Sequence, residues 1–365
     1  MSSQADNVTM TGEYWLAVKG TMDVIAAAAP MVLDAVAAMD LEHDDSAFCF
    51  SDMGCADGGS SMSLVRSVIG AVRERCPSRQ ITILYTDQPR NNYNALFRLV
   101  HDAAGSSLKS YKDEFDRLYV HAAGTSFYEQ MMPDQTLDLG FSSTAMHWLR
   151  GKPVDIPDHV HAVGASGDAL RRIQAQASRD WELNLLNRAR EMKPGARLVL
   201  ANFCRDEQGR YLGNTVGVNM FATFNELWLE KLERNEIRAD EYERMTLPQY
   251  YNDVDEFSAP FSDSSSAVRS AGLVLEHMET KVVECPYRAD FDRHGDVEQF
   301  VESYVPTLRT WSESTFFGAL SVERSAEERQ TLVDEFYAAY GDRVRSDPSA
   351  HRMDYVHAYI KVAKN

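Results

Sequence analysis

The chain has 365 residues, of which 44% are hydrophobic, and a formal net charge of −18 from 37 Lys and Arg against 55 Asp and Glu. This length can bury a large core, in one elaborated domain or in two. No cluster of Lys and Arg stands out, which argues against a nucleic-acid partner because neutralising phosphates needs grouped cations.

The first informative segment is a strand, a glycine loop and a helix. Residues 47–50 are apolar and predict a buried strand, and apolar residues at helical spacing predict a helix over 62–75. Between them runs Asp-x-Gly-x-x-x-Gly, from Asp52 to Gly58. Glycines let a ligand approach the backbone, and a helix start offers free N–H groups. Because the acid precedes the first glycine, the loop favours a cationic group, such as the amino group of S-adenosylmethionine, over the pyrophosphate that Gly-x-Gly-x-x-Gly binds.

The second predicted strand, residues 80–86, ends at Asp87. At that position the next parallel strand delivers a carboxylate to the ribose hydroxyls of a bound nucleotide. Such an acid suits either NAD or S-adenosylmethionine, and the spacing of the glycine loop favours the methyl donor.

Strands and helices continue to alternate after this point. The pattern predicts helices over 91–100 and 169–192 and strands over 118–120, 137–141 and 197–202. This alternation is typical of a parallel sheet that helices cover on both faces.

The regular alternation of predicted strands and helices ends after about residue 213. Helices are predicted over 221–232, 233–245, 300–320 and 326–340, strands over 273–283 and 355–362, and an exposed Ser- and Pro-rich loop over 257–266. The prediction is therefore an α/β fold, a Rossmann-like sheet with an added α-helical cap. Residues 1–40, including a helix around 22–39, form an N-terminal lid segment, 41–212 and 268–365 the sheet domain, and 213–267 the cap.

The sequence also predicts the compartment. No apolar stretch approaches the roughly 20 residues of a membrane span, and no basic region followed by an apolar one marks a leader. The five cysteines are scattered without a Cys-x-x-Cys pair. We therefore expect a reduced, cytoplasmic protein with no membrane partner, no zinc and no disulfide framework.

Six segments, in order between about residues 48 and 251, resemble one known family. They are Asp52-Met53-Gly54-Cys55-Ala56-Asp57-Gly58, Asp87-Gln88-Pro89-Arg90-Asn91-Asn92-Tyr93-Asn94, Ser126-Phe127-Tyr128 with Pro133, Ser142-Ser143-Thr144-Ala145-Met146-His147-Trp148-Leu149, Pro194-Gly195-Ala196-Arg197-Leu198-Val199-Leu200 and Leu247-Pro248-Gln249-Tyr250. Each segment is ordinary alone, but the ordered set is similar to the SABATH carboxyl and N-methyltransferases, which use S-adenosylmethionine and have a class I methyltransferase sheet.

The resemblance implies a set of cofactor-binding residues. Asp52 would hold the methionine amino group of the donor, Asp87 the ribose hydroxyls, and Gln88 the adenosine. The full set of implied cofactor-binding residues is Tyr14, Asp52, Gly54, Gly58, Ser60, Asp87, Gln88, Ser126, Phe127 and Ser142.

The resemblance also implies the residues that position the substrate. His147 and Trp148 would point their ring N–H groups at the substrate carboxylate, with Thr144 and Met146 beside them. A carboxylate is already a nucleophile at neutral pH and the sulfonium is already activated, so the enzyme mainly has to align oxygen, methyl and sulfur. His147 is therefore expected to be a positioning donor and not a base.

Three departures from the family pattern reshape these expectations. Thr144 stands where the family has tyrosine, which removes an aromatic wall and leaves a hydroxyl. Some members bind magnesium near Asp-x-Phe-Asn, but here the segment is Ala222-Thr223-Phe224-Asn225, without the carboxylate that a hard cation prefers. We therefore expect no metal. The N-terminal Asn-Ser-x-x-Gln of the family is missing around Tyr14.

The sequence thus predicts an enzyme that moves a methyl group from S-adenosylmethionine to the carboxylate of a small apolar or aromatic acid. The alternatives are N- or O-methylation of a small natural product, a catalytically silent S-adenosylmethionine-binding protein, and a nicotinamide oxidoreductase, which the loop spacing disfavours. Hydroxyl transfer would require a base near His147. The family tendency implies a homodimer.

Overall fold

The computed structural model describes residues 18–42, 46–101, 110–263 and 265–365. Tyr14 and the rest of the segment before Val18 lie outside the described residues. Within this part of the chain there are eight strands: β1 Phe48–Met53, β2 Ile81–Asp87, β3 Leu118–Gly124, β4 Leu137–Ser143, β5 Met192–Arg205, β6 Asn252–Asp253, β7 Leu273–Val283 and β8 Tyr355–Lys364.

The strands form one sheet in the order β3-β2-β1-β4-β5-β8-β7, and β6 pairs with the end of β5. The strands from β3 to β5 are parallel, whereas β8 runs antiparallel to both β5 and β7. Strand order reverses between β1 and β4, and in such sheets the ligand crevice lies outside the carboxyl ends of the strands at this reversal. The predicted α/β, Rossmann-like class of fold is confirmed.

The carboxyl ends of β1, β2 and β4 carry the predicted site residues. Asp52 is paired with Tyr85 on one side and with Phe141 on the other, close to the ends of all three strands. β1 is buried along almost its whole length because it lies in the middle of the sheet, with helices on both faces. Its last residues therefore face the crevice without being exposed to bulk water.

Eleven α-helices surround the sheet in the described residues. They are α1 Lys19–Ala37, α2 Met62–Arg75, α3 Tyr93–His101, α4 Gly167–Glu191, α5 Met220–Glu233, α6 Ala239–Arg244, α7 Val254–Ser262, α8 Ala267–Ser270, α9 Pro286–His294, α10 Val297–Ala319 and α11 Ala326–Ser346. α4 ends at Glu191, one residue before the predicted helix end at 192, and β5 starts without an intervening loop.

Helix α1 corrects the expectation that no stretch approaches the length of a membrane span. Among the described helices it is the one that is long and apolar enough for such a span by length and composition. Its residues Val24, Ala28 and Val32 are fully buried, and it contacts α2 and strands β4, β5 and β8. In this structure α1 is a core helix, packed against the sheet near the crevice.

A layer of helices packs together through aromatic side chains. Phe224 of α5 stacks on Trp311 of α10 with ring centroids 5.8 Å apart, and Trp228 lies 4.6 Å from Phe336 of α11. The layer therefore combines helices from before β7 with helices from between β7 and β8. The division of the chain into a lid segment, a sheet domain and a cap stays a prediction.

Two predicted elements were wrong. The helix over 233–245 is interrupted, because Asn235 has a φ of 58° and α6 is a separate helix. The predicted exposed loop over 257–266 is largely helix α7, on which Phe257 and Phe261 are buried. Asp253 begins α7 by accepting a hydrogen bond from the backbone N–H of Glu256, and one buried apolar face then outweighs the Ser- and Pro-rich composition.

Candidate active site

A large cavity opens at the carboxyl ends of β1, β2 and β4. It encloses about 910 Å³ of empty space, part of it open to solvent. It is lined by Thr21, Ile25, Asp52, Gly54, Cys55, Ala56, Ser60, Ser61, Asp87, Gln88, Phe127, Tyr128, Ser143, Thr144, Ala145, Trp148 and Leu149. We call it the donor cavity.

The glycine loop is shaped by close packing. Gly54 has a φ of 78°, and a Cβ atom placed there would lie 2.4 Å from the Cβ of Ala145. The backbone N–H of Gly54 donates to the carbonyl of Thr86, 2.8 Å away, which ties the loop to the end of β2. Glycine at this position therefore lets the loop lie directly against the segment that follows β4.

Asp52 is a buried carboxylate at the base of the donor cavity. Its Oδ2 accepts a hydrogen bond from the Ser61 hydroxyl at 2.5 Å. Burial raises the pKa of Asp52 to about 7, with a further contribution from the charge of Asp87, although the Ser61 hydrogen bond acts in the opposite direction. A cationic group in the cavity would favour the charged carboxylate, so this site suits an ammonium group.

Asp87 connects the end of β2 to the glycine loop. Its Oδ2 accepts from the backbone N–H of Ala56 and its Oδ1 from that of Gln88, each at 2.7 Å. Burial raises the pKa of Asp87, and these two hydrogen bonds limit the rise. The buried Asp52 and the half-buried Asp87 thus lie in one cavity, which suits a ligand carrying a cation and neutral hydroxyls.

The aromatic wall of the donor cavity is held from behind by a buried ion pair. The Arg188 guanidinium donates to the carbonyls of Phe127 and Glu129, each at 2.8 Å. Arg188 also pairs with Glu191, and both side chains are completely buried. The backbone around Phe127 is therefore fixed by a charged group that never contacts the cavity itself.

A second, smaller cavity of about 390 Å³ adjoins the first. Its walls are mainly apolar and aromatic: Val18, Thr21, Thr144, His147, Trp148, Phe203, Leu212, Gln249, Tyr251, Trp311, Met353 and Tyr355. Thr21, Thr144 and Trp148 line both cavities and so mark their junction. We call the second space the acceptor cavity; among the described residues that line it there is no Lys, Arg, Asp or Glu.

His147 is buried among aromatic rings in the wall of the acceptor cavity. Its ring lies 4.8 Å from Phe203, 5.5 Å from Trp148 and 5.9 Å from Tyr251. Burial, with a contribution from His357, lowers the pKa of His147 well below its usual value, so the ring is neutral at pH 7. Its Nδ1 is buried and has no hydrogen-bond partner within the described ranges.

The structure brings most of the predicted site residues to these two cavities. Asp52, Gly54, Ser60, Asp87, Gln88 and Phe127 line the donor cavity, His147 the acceptor cavity, and Thr144 and Trp148 line both. Their individual roles stay predictions.

Four predicted residues line neither cavity. Gly58 turns the loop against Leu96, and the Ser142 hydroxyl donates to the carbonyl of Met53 at 2.7 Å within the sheet. The Ser126 hydroxyl accepts from the backbone N–H of Tyr128, 3.3 Å away. Met146 lines a separate small space on the other side of His147.

Sequence reasoning missed several wall residues. Ser61 follows the predicted Ser60 directly, and a hydroxyl so close to a buried acid was a usable signal. The residues that line the acceptor cavity gave no such sequence signal, because they come from segments far apart in the chain. The missed residues include Phe203, Leu212, Tyr251, Trp311, Met353 and Tyr355.

Both polar groups of the Asn225 side chain already have hydrogen-bond partners. The Asn225 Oδ1 accepts from the Tyr242 hydroxyl at 2.7 Å, and its amide donates to the carbonyl of Asp158 at 3.1 Å. Within 18–42, 46–101, 110–263 and 265–365, no group of three or more His, Cys, Asp or Glu could hold a metal. The expectation of no metal stays a prediction.

Comparison with known proteins places this geometry in a family. A family model described as "SAM dependent carboxyl methyltransferase" matches residues 17–365. Relatives include an indole-3-acetate O-methyltransferase of Oryza sativa subsp. japonica, 25% identical over 62% of this chain and 61% of its own length, which is less than two thirds. A salicylate carboxymethyltransferase of Clarkia breweri is 23% identical over 78% of this chain and 79% of its own length.

The fold also has a solved counterpart. The structure of a loganic acid methyltransferase with S-adenosylhomocysteine (SAH) matches with a TM-score of 0.74 at 18% identity, covering 98% of each chain. At that identity the likeness concerns the fold alone, whereas the family model spans almost the whole sequence. The chain belongs to the SABATH family of S-adenosylmethionine-dependent carboxyl methyltransferases.

Proposed function

We propose that the protein transfers a methyl group from S-adenosylmethionine to the carboxylate of a small apolar or aromatic acid, giving a methyl ester. The observation that carries the proposal is the pair of adjoining cavities. One is lined by the buried Asp52 and the half-buried Asp87, the other is mainly apolar with no charged side chain among its described lining residues, and the two share Thr21, Thr144 and Trp148. A reacting oxygen at this junction could meet a methyl group presented from the donor side.

The donor cavity fits S-adenosylmethionine by its chemistry. Asp52 would pair with the amino group, Asp87 would accept from the ribose hydroxyls, and Phe127 would lie against the adenine. The bound cofactor supplies a methyl group on a positively charged sulfur. The task left to the protein is to hold this group beside the junction and to keep water out.

The acceptor cavity fits an acid whose carboxylate is the only charged group. His147 and Trp148 offer ring N–H donors to the carboxylate oxygens, and the remaining walls cover an apolar body. Holding two reactants in line can lower a barrier by roughly 7–11 kcal/mol. The relatives act, by their names, on indole-3-acetate and salicylate, which supports acids of this kind.

The histidines favour a carboxylate over a hydroxyl as acceptor. A hydroxyl has to lose its proton, which requires a base whose pKa lies near the working pH. Burial lowers the pKa of His147 well below its usual value and that of His357 to about 3. Both are weak bases, and a carboxylate does not need one.

The first test is calorimetric titration with SAH, with NADH as the control ligand. We expect SAH to bind and NADH not to bind. Asp87→Ala should abolish SAH binding, because it removes the acceptor for the ribose and the anchor of the glycine loop. A preference for NADH would overturn the choice of cofactor.

The second test is transfer of a labelled methyl group to a panel of acids, which includes indole-3-acetic acid and salicylic acid. Base-labile label in an organic extract would identify a methyl ester. Base-stable label would indicate an N-methyl or ether product, and SAH binding without turnover on any acid would support the silent-binding alternative.

We also propose that the protein is a cytoplasmic homodimer. The five cysteines are free, which is consistent with a reducing compartment. The family tendency supports the dimer. Light scattering after gel filtration would test it, and a mass near 41.1 kDa, that of one chain, would contradict it.

A further inference from the structure

Thr144 has an unusual backbone conformation at a point where the two cavities meet. It lies immediately after β4, at the junction of the donor and acceptor cavities, and its φ is 58°. Positive φ is rare for a β-branched residue, because the side chain crowds the backbone. Glycine or asparagine would adopt this conformation at lower cost. Threonine carries that cost at a position where its side chain lines both cavities, as strained residues at functional sites do.

The Thr144 hydroxyl has a buried partner. Its Oγ1 lies 3.1 Å from Nε2 of His357 and 3.2 Å from the Ser143 hydroxyl. His357 is on β8 and is completely buried, with its ring 4.2 Å from that of Phe203. His357 lines neither cavity, so it can act on a ligand only through residues that do, and Thr144 is the one to which it is hydrogen-bonded.

The direction of this hydrogen bond decides what Thr144 can offer. A hydroxyl has one hydrogen to donate and two lone pairs to accept with. If His357 donates through its Nε2–H, the Thr144 oxygen is held in place and its hydrogen remains available. A neutral His357 can supply that donor, and its burial among Phe203, Tyr355 and Tyr359 prevents it from turning toward solvent.

We infer that His357 is a positioning residue for methyl transfer: it fixes the Thr144 hydroxyl so that the hydroxyl donates a hydrogen bond to the reacting carboxylate at the junction of the cavities. This inference rests on the proposed function. It adds a third donor beside His147 and Trp148, one that selects the orientation in which one carboxylate oxygen faces the donor cavity.

The experiment compares Thr144→Val, His357→Phe and their double variant, using the acid that gives the highest turnover in the panel. Each single variant should lower kcat by about tenfold or more, because a hydrogen bond to a charged group is lost. The double variant should be no slower than the slower single one, since both remove the same interaction. The SAH affinity of His357→Phe should stay within about twofold of the wild type.

Three further variants separate positioning from folding. Thr144→Ser and His357→Gln keep a hydroxyl and an N–H donor respectively, so both should retain most of the turnover. Tyr359→Phe, on the same strand, removes a buried hydroxyl that bonds to the carbonyl of Val24 and lines neither cavity. It should leave turnover unchanged. If His357→Phe does not fold, His357→Gln and the pair of Thr144 variants decide the question.

The outcomes are distinct. If Thr144→Val and His357→Phe both retain the turnover of the wild type, this inference is overturned and the proposed function remains intact. Losses that multiply in the double variant would also overturn it. If the wild type methylates no acid, the proposed function fails and this inference fails with it.

Discussion

The raised pKa of Asp52 predicts that ligand binding is linked to protons near neutral pH. The free carboxyl has a pKa of about 7, because it is buried and lies near Asp87. The ammonium group of SAH would stabilise the charged form and lower this pKa in the complex. Binding should therefore weaken as the pH falls through 7, because the protonated Asp52 must first release its proton.

The size of the effect follows from the population of the charged form. With a pKa of about 7, roughly one tenth of Asp52 is charged at pH 6 and roughly nine tenths at pH 8. The apparent Kd is the intrinsic Kd divided by the competent fraction, so it should be about tenfold higher at pH 6 than at pH 8. That factor corresponds to about 1.4 kcal/mol of binding free energy.

Calorimetry at pH 6, 7 and 8, in buffers of low and high ionisation enthalpy, measures both the Kd and the protons released. Asp52→Asn should bind SAH more weakly at pH 8 and should lose the pH dependence. Asp138→Asn is the matched control: burial also raises the pKa of Asp138, but this residue lines neither cavity and pairs with Lys193. A Kd that is constant from pH 6 to 8, or a slope that survives in Asp52→Asn, would refute the reasoning.

Three other substitutions have defined outcomes. Gly54→Ala should destabilise the fold by about 2–4 kcal/mol in urea denaturation, because the new Cβ would sit at a residue with positive φ and only 2.4 Å from the Cβ of Ala145. The control is Gly70→Ala, in open space on helix α2, which should be neutral or stabilising by up to about 1 kcal/mol. His147→Phe should lower turnover of the acid by about 10- to 100-fold while SAH affinity is unchanged, since His147 lines only the acceptor cavity of the two. Arg188→Met should lower the free energy of unfolding by about 3–5 kcal/mol in the same denaturation assay, because it leaves Glu191 buried without its cation. The double variant Arg188→Met with Glu191→Leu should recover part of that stability.

The donor side of the site could be predicted because it is encoded locally. Asp87 is the last residue of β2 and Asp52 the last but one of β1, and parallel strands in such a sheet bring their carboxyl ends to one edge. A pattern of a few residues is therefore enough to place both acids. The resemblance added His147 and Trp148 in the same way, since they follow β4 within five residues of Ser143.

The acceptor side could not be predicted from local patterns. Phe203 comes from β5, Trp311 from helix α10 and Tyr355 from β8, and they meet only because the helices fold over the sheet. The prediction of a loop in place of helix α7 was wrong for a related reason. Its buried face consists of only Phe257 and Phe261, too short a repeat to outweigh a Ser- and Pro-rich composition.

The position of β8 has a consequence for folding. β8 follows all the other described elements in chain order, yet it lies inside the sheet between β5 and β7. β7 therefore has no neighbouring strand until residues 355–364 have been synthesised, and the facing edges of β5 and β7 stay unpaired during translation. Unpaired edges promote aggregation, and closure of long loops slows folding. The yield of active protein should therefore depend on temperature and chaperones during synthesis more strongly than the stability of the finished fold would suggest.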